Sequence, residues 1–317
     1  MFRYTFSNDK LYIRMPKVCR YTPKFHHSIA KLLKKVIHWN DIGRISRVVV
    51  QCDDGVLYDK LCKANLFNVF TYLSSQNVGV YINRWFRKNI LDNVVMKKGQ
   101  FDCDEIDLAQ LVISDNIGCH MFCGDENVEK PVENVVGLIT DNSFTLDKRK
   151  LKEFLTTVIG EIISNCINHS EQDVGYVMYD VQQEQGDFYL YITIVDYGKT
   201  ITSNVKDYFR DEVISSSECL KWAVKAGNTT RKGSGGYGLA VLIDYIKKVK
   251  GTLMIFSGDT SYILTEDESV ECESFADEMF YGTSVTLKIK LFDTDKLIDV
   301  NEDKIACISL QDLIKTR

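Results

Sequence analysis

Four glycines fall within six positions in Gly233-Ser234-Gly235-Gly236-Tyr237-Gly238, and an apolar-periodic stretch over 238–250 begins on the last of them. Such a cluster permits tight turns and exposes backbone N–H groups at the start of a helix. That is an anion site suited to phosphates, and Arg231 and Lys232 add positive charge beside it. Leu239 follows as the first apolar residue of the helix. A flexible turn without ligand is the plainer reading, but glycines leading straight into a helix are unusual as mere linker. The pattern is not a Walker A loop, because no Gly-Lys-Ser/Thr ends it. It also fits the dinucleotide fingerprint poorly, since no strand precedes it.

Upstream, the spacing predicts a long amphipathic helix over 147–168. Leu151, Phe154, Leu155, Val158, Ile159, Ile162, Ile163 and Cys166 lie along its apolar side. Glu161, Asn165 and His169 recur every four residues, so they share one face beside that stripe. A carboxamide oxygen is a hard ligand of the kind Mg²⁺ accepts. A carboxylate one turn away can orient and deprotonate an attacking water or hydroxyl. The polar edge of an ordinary amphipathic helix accounts for the same residues equally well.

Two strands joined by a turn at 183–187 are predicted next, over Gly175–Gln182 and Phe188–Asp196. The second ends in Asp196-Tyr197-Gly198-Lys199-Thr200. An acidic residue at a strand end, followed by glycine, lets backbone approach a flat ligand while the carboxylate accepts from an exocyclic amine. A plain strand-ending turn is the alternative. Strands over Thr252–Ser257 and Ser284–Leu291 close the C-terminal half. The order of helix, hairpin, long insertion, helix and strands predicts an α+β domain with a mixed sheet and helices on one face.

Taken together and in this order, these motifs resemble the GHKL family, the ATPase and kinase fold of gyrase, histidine kinases and anti-sigma kinases. Glu161, Asn165 and His169 resemble its N box, Asp196-x-Gly198 its first glycine box, and Gly233 to Leu239 its second. Gly282-Thr283-Ser284 resembles its late Gly-Thr. The resemblance spans roughly 145–292 and is closest to the histidine-kinase and anti-sigma-kinase type. It implies a Bergerat-type α/β sandwich binding ATP and Mg²⁺. Asp196 would bind the adenine amine, with Thr283 supporting through a water. Asn165 would hold Mg²⁺, and Glu161 would be the general base. The remaining ATP-binding residues implied are His169, Gly198, Thr200, Arg231, Lys232, Gly233, Gly235, Gly236, Gly238 and Leu239. The family's first glycine box usually carries a second glycine where Thr200 stands, and a Cβ restricts positive φ there. The stretch 199–232 would be a lid, with helices over Val205–Ile214 and Ser217–Ala226, mobile without nucleotide and ordered by it.

The N-terminal part reads as a smaller α/β domain over 1–100. A helix over His26–His38, a strand at Arg47–Cys52, a helix at Lys60–Leu73 and a strand at Val78–Ile82 imply a parallel pair with a crossover. The segment loosely resembles small α/β modules of the STAS type. His26 and His27 read as surface histidines. Residues 101–144 are expected to be a connector with a peripheral helix over Glu105–Ile113, and 293–317 a tail. Cys103, Cys119, His120 and Cys123 could hold zinc, but their spacing is not a pair of knuckles, and inert thiols fit better.

With 45% hydrophobic and 26% charged residues, each half has ample material for a core. A net charge of −5 and a pI near 5.7 do not indicate a nucleic-acid partner. No run of 18 apolar residues and no signal-like start appear, so a cytoplasmic location with no membrane partner is expected. Three functions remain open: ATP hydrolysis, protein phosphorylation, and a non-catalytic nucleotide-gated switch acting on a protein partner or in a homodimer.

Overall fold

A computed structural model describes residues 2–90, 94–96, 105–108, 111–113, 119–123, 129–141, 148–171, 174–210, 214–230 and 236–291. The chain opens with the hairpin β1 (Arg3–Ser7) and β2 (Lys10–Arg14), followed by β3 (Val18–Cys19). Helix α1 (Pro23–Asp41) starts where Thr22 accepts from the Phe25 N–H and Pro23 fixes the first turn. After β4 (Arg47–Gln51) and β5 (Leu57–Tyr58), Asp59 caps α2 (Lys60–Ser75): one carboxylate oxygen accepts from the Cys62 N–H at 2.8 Å and the other from the Tyr21 N–H at 2.7 Å. Then come β6 (Gly79–Asn83), α3 (Arg84–Ile90), β7 (Val94–Met96), β8 (Glu105–Asp107) and β9 (Leu111–Ile113). The first sheet runs β1-β2-β4-β6-β8, parallel through β2, β4 and β6 and antiparallel at both edges.

Both crossovers, β2 to β4 and β4 to β6, step the same way across this sheet, so right-handed connections put α1 and α2 on one face. Leu11, Ile13, Val48, Val50, Val80 and Ile82 point to those helices by the two-residue alternation of strands.

The second sheet is larger. Its strands are β10 (Cys119–Cys123), β11 (Val174–Glu184), β12 (Asp187–Asp196), β13 (Thr252–Gly258), β14 (Thr260–Leu264), β15 (Val270–Ser274) and β16 (Phe280–Lys290). They run in the order β10-β11-β12-β16-β13-β14-β15, every neighbouring pair antiparallel. The α+β class therefore holds, with parallel pairing in the N-terminal sheets and antiparallel pairing in this one. Short hairpins explain the difference: β11 and β12 meet through Gln185 and Gly186, both at positive φ, the turn geometry that matches strand twist.

The helices α4 (Glu129–Asp141), α5 (Lys148–His169), α6 (Ile201–Phe209), α7 (Ser216–Ala223) and α8 (Gly238–Lys248) complete the fold. Helices α4, α5, α7 and α8 share one core with Leu190, Ile192, Ile194, Leu253 and Ile255 of the sheet. The alternate residues, Tyr191, Val195, Met254, Phe256, together with Met178 and Phe280, join the core of α1 and α2. Helices α1 and α2 thus form a layer between two sheets. That is why α2 buries residues all round its circumference, from Leu61 and Cys62 to Phe70 and Leu73.

Three expectations are corrected. The helix expected over Glu105–Ile113 is instead two short strands, β8 and β9: Glu105-Ile106-Asp107-Leu108 alternates with the two-residue period of a strand, and Leu111-Val112-Ile113 is a short apolar run ending in two β-branched residues. The helix expected over Val205–Ile214 begins at Ile201 and ends at Phe209, where Arg210 turns left-handed at φ 53°. His26 is not on the surface. It is fully buried and stacks on Phe256 at 4.6 Å and 12°, while His27 binds Glu278 at 2.6 Å.

Neither ring nitrogen of His26 has a hydrogen-bond partner. Burial, helped by neighbouring His27, pushes its pKa down to about 3. A buried polar group left unpaired costs about 1–3 kcal/mol. His26→Phe keeps the stack and is expected to raise stability by about 1–2 kcal/mol at pH 7 in urea unfolding. Because the native imidazole stays neutral while the unfolded one protonates, the wild type loses stability as pH falls from 6.5 toward 3. The variant should lack that component; an unchanged acid slope would rule out this assignment.

Candidate nucleotide site

The last two turns of α5 are the meeting point. The stripe Phe154, Leu155, Val158, Ile159, Ile162, Ile163 and Cys166 is buried as the pattern predicts, which fixes the helix's rotation and leaves Glu161, Asn165 and His169 half-buried on its flank. On that flank α8 begins. A Cβ at Gly238 would come well under 3.0 Å from a Glu161 carboxylate oxygen and 3.6 Å from the Asn165 side-chain nitrogen. The first residue of α8 therefore lies directly against both. The N-cap residue of α8, Tyr237, makes no side-chain cap hydrogen bond, so the positive end of the helix is not answered by its own cap.

Asp196 ends β12 and is 2% exposed. Its Oδ1 accepts from the Gly198 N–H at 3.0 Å. The Cys166 thiol, on the turn of α5 that carries Asn165, also donates to this carboxylate. Burial raises the Asp196 pKa to about 6 against the lowering effect of these bonds and of the Thr283 N–H. Burial and the nearby carboxylate push the Cys166 thiol well up, so it stays protonated and a donor.

Glycine is required on both sides of Asp196. A Cβ on Gly198 would sit 2.6 Å from the Ser170 Cβ and closer still to the Ser170 carbonyl oxygen, which accepts from the Lys199 N–H at 2.6 Å. The turn after Asp196 is thus pressed onto the end of α5. Gly282, at φ 124°, packs against the Asp196 carbonyl, one residue before Thr283, the register partner of Asp196. The Thr283 hydroxyl bonds Ser257 Oγ at 2.9 Å, and Ser257 Oγ accepts from the Ile201 N–H at 2.8 Å.

Thr200 adopts φ −76°, so its Cβ causes no strain. Its hydroxyl accepts from the Ser203 N–H at 3.0 Å and caps α6. The His169 carbonyl accepts from the Asn204 side chain at 2.8 Å, and Lys199 bridges Glu171 at 2.8 Å and Asp207 at 2.9 Å. Together these fasten the start of α6 to the end of α5. Helix α7 follows, opened by a reciprocal capping box between Ser215 and Glu218. Gly236, at φ 84°, accepts from the Gly227 N–H at 3.0 Å, and Leu239 packs at the edge of the core. Arg231, Lys232, Gly233 and Gly235 lie outside the described residues.

The strand-end carboxylate, the amide-bearing helix and the glycine-led helix start therefore converge from three separate parts of the sequence. A scan against protein families matches residues 150–293 to the histidine kinase-, DNA gyrase B- and HSP90-like ATPases. These residues form an ATP-binding domain of the GHKL type. No curated protein matches the chain. The match and the convergence are independent, since one rests on residue pattern and the other on where Asp196 and Gly238 meet α5.

Sequence reasoning missed the contact of Cys166 with Asp196, because a thiol in an apolar stripe reads as packing. Among the described residues no group of three or more His, Cys, Asp or Glu side chains could hold a metal ion. Cys119, His120 and Cys123 lie on β10, and Cys103 lies outside the described residues. No helix among the described residues is long and apolar enough to cross a membrane.

Proposed function

We propose that this domain hydrolyses Mg-ATP and uses the nucleotide to set the conformation of segment 199–232, and so to control a protein partner or self-association. The observation that carries the reading is the contact of one helix, α5, with both Asp196 and the start of α8. Asp196, as carboxylate, would accept from the adenine amine, with Thr283 beside it on the paired strand. Phosphates would meet the backbone amides at the start of α8, where the N-cap Tyr237 supplies no side-chain bond. Asn165 would hold Mg²⁺ through its carboxamide oxygen; the ion's contribution is to neutralise charge on the phosphates. Glu161, one turn earlier, would take the proton of the attacking water.

The buried His26, and His27, whose Nδ1 is held by hydrogen bonding to Glu278, make poor phosphate acceptors, which favours hydrolysis over autophosphorylation at these sites. Glu161→Ala is expected to keep nucleotide binding within about twofold while phosphate release falls a hundredfold or more, the usual span for a general base. Calorimetry with ATP and a phosphate-release assay check this. Equal release by wild type and variant would remove Glu161 from its role. Binding without turnover in the wild type would favour the switch.

A further inference from the structure

Tyr197, between Asp196 and Gly198, is held by a stack of rings. Its neighbour on one side is Tyr72 of α2, with centroids 4.4 Å apart and planes at 10°. Phe280, at the start of β16, stacks at 6.0 Å and 25°. Tyr176 of β11 meets it edge-on at 6.2 Å and 68°. Phe280 and Tyr176 belong to the ATP-binding domain, but Tyr72 comes from the N-terminal layer. The turn that presents Asp196 is therefore gripped on three sides: by Ser170 under Gly198, by Gly282 against the Asp196 carbonyl, and by this stack.

We propose that Tyr72 is a positioning residue of the nucleotide site, and that through this ring the N-terminal layer sets nucleotide affinity. The inference rests on the ATP-site reading above. Other contacts already attach α2 to the sheet. Lys60 lies 3.8 Å from Asp180, and the Asn68 side-chain amide donates to the Met178 sulfur at 3.3 Å. Both of those partners are on β11, away from the Asp196 turn at the end of β12. Loss of the Tyr72 ring leaves those contacts in place and removes a support from Asp196. Coupling of this kind is reciprocal: whatever shifts α2 changes nucleotide affinity, and nucleotide in turn favours one seating of α2.

The test uses the full chain, ATP with Mg²⁺, and calorimetry across pH 5–8. An aromatic pair is worth enough that Tyr72→Ala should weaken binding about five- to tenfold. It should also lower the pH midpoint of binding, because water gains access to the Asp196 carboxyl. Tyr72→Phe keeps the stack and should restore both. Lys60→Ala, which removes the other type of contact, should leave affinity unchanged. Should Tyr72→Ala prove too unstable, Tyr72→Leu keeps apolar volume without a ring face and gives the same reading. A folded Tyr72→Ala or Tyr72→Leu variant with wild-type affinity and wild-type pH midpoint overturns the inference alone. No nucleotide binding by the wild type overturns both this and the reading beneath it.

Discussion

Asp196→Asn is expected to make the protein more stable and to cost it the nucleotide. The carboxyl is 2% exposed and its pKa is raised to about 6, chiefly by burial. A raised acid pKa means that the native state holds a proton the unfolded chain has given up. The corresponding stability is complete below the ordinary value of 3.8 and is lost as pH rises through about 6. A tenfold change in acidity corresponds to about 1.4 kcal/mol, so the buried charge costs about 3 kcal/mol at neutral pH. Asparagine retains an oxygen for the Gly198 N–H and carries no charge to desolvate. The variant should therefore gain about 1–3 kcal/mol at pH 7.5, with the gain shrinking toward pH 4. Urea unfolding at both pH values measures it.

The nucleotide should respond in the opposite sense. With the one asparagine oxygen committed to Gly198, the hydrogen bond from the adenine amine to a charged acceptor is lost, at about 1.5–3 kcal/mol, or roughly ten- to hundredfold in affinity. In the wild type, affinity should rise with pH through about 6 and level off above 7, because the carboxylate is the acceptor. At pH 5 it should be about tenfold below its plateau. Wild-type affinity in the Asp196→Asn variant, or a flat wild-type profile between pH 5 and 7, would separate Asp196 from the adenine. A stability gain with lost binding is the pattern of a residue kept for its ligand rather than for the fold.

Long periodic segments were legible because burial on one side dictates their pattern. The stripe of α5 and the boundaries of α2, β12 and α8 follow from it within a few residues. What escaped was tertiary. The helices of the C-terminal half lie on one face of its sheet as expected, but the cover of the other face by α1 and α2 of the N-terminal part was not foreseen. The signal was present in the run Leu190-Tyr191-Ile192-Thr193-Ile194-Val195, which never alternates with charged residues. A strand wetted on one side would do so. Thr193, the only polar member, bonds the Tyr21 hydroxyl at 2.8 Å and Thr286 at 3.0 Å across that second interface. The β1–β2 hairpin also carried its signal, Asn8-Asp9 between alternating strands, with Asn8 at φ 55°. Thr200 was read as a departure from a glycine pattern. Its threonine side chain instead serves as a helix cap, a role that hydroxyl residues fill well and glycine fills without a side-chain acceptor. The pairing of Cys166 with Asp196 had no legible signal at all, since it joins residues 30 positions apart through nothing but the fold.

Gly282→Ala should be the most damaging single substitution in the site. At φ 124° an alanine is strained whatever the space around it, at about 1–3 kcal/mol. The space is also taken: a Cβ would lie 2.6 Å from the Tyr197 Cα and closer still to the Asp196 carbonyl oxygen. Both obstacles are backbone and cannot rotate away, so overpacking adds about 1–3 kcal/mol more. A total of about 2–6 kcal/mol is a large part of what a domain has. The displaced groups are those of the Asp196 turn, so the folded fraction should also bind ATP poorly. Gly160→Ala supplies the contrast. That glycine sits inside α5, next to Glu161, and a Cβ there meets nothing within 4 Å. Helix propensity alone should make it neutral or stabilising by about 0.5–1 kcal/mol, with binding intact. Urea unfolding and calorimetry on both variants decide the matter. Equal tolerance at 282 and 160 would mean that the close packing of β16 against Asp196 does not shape the pocket.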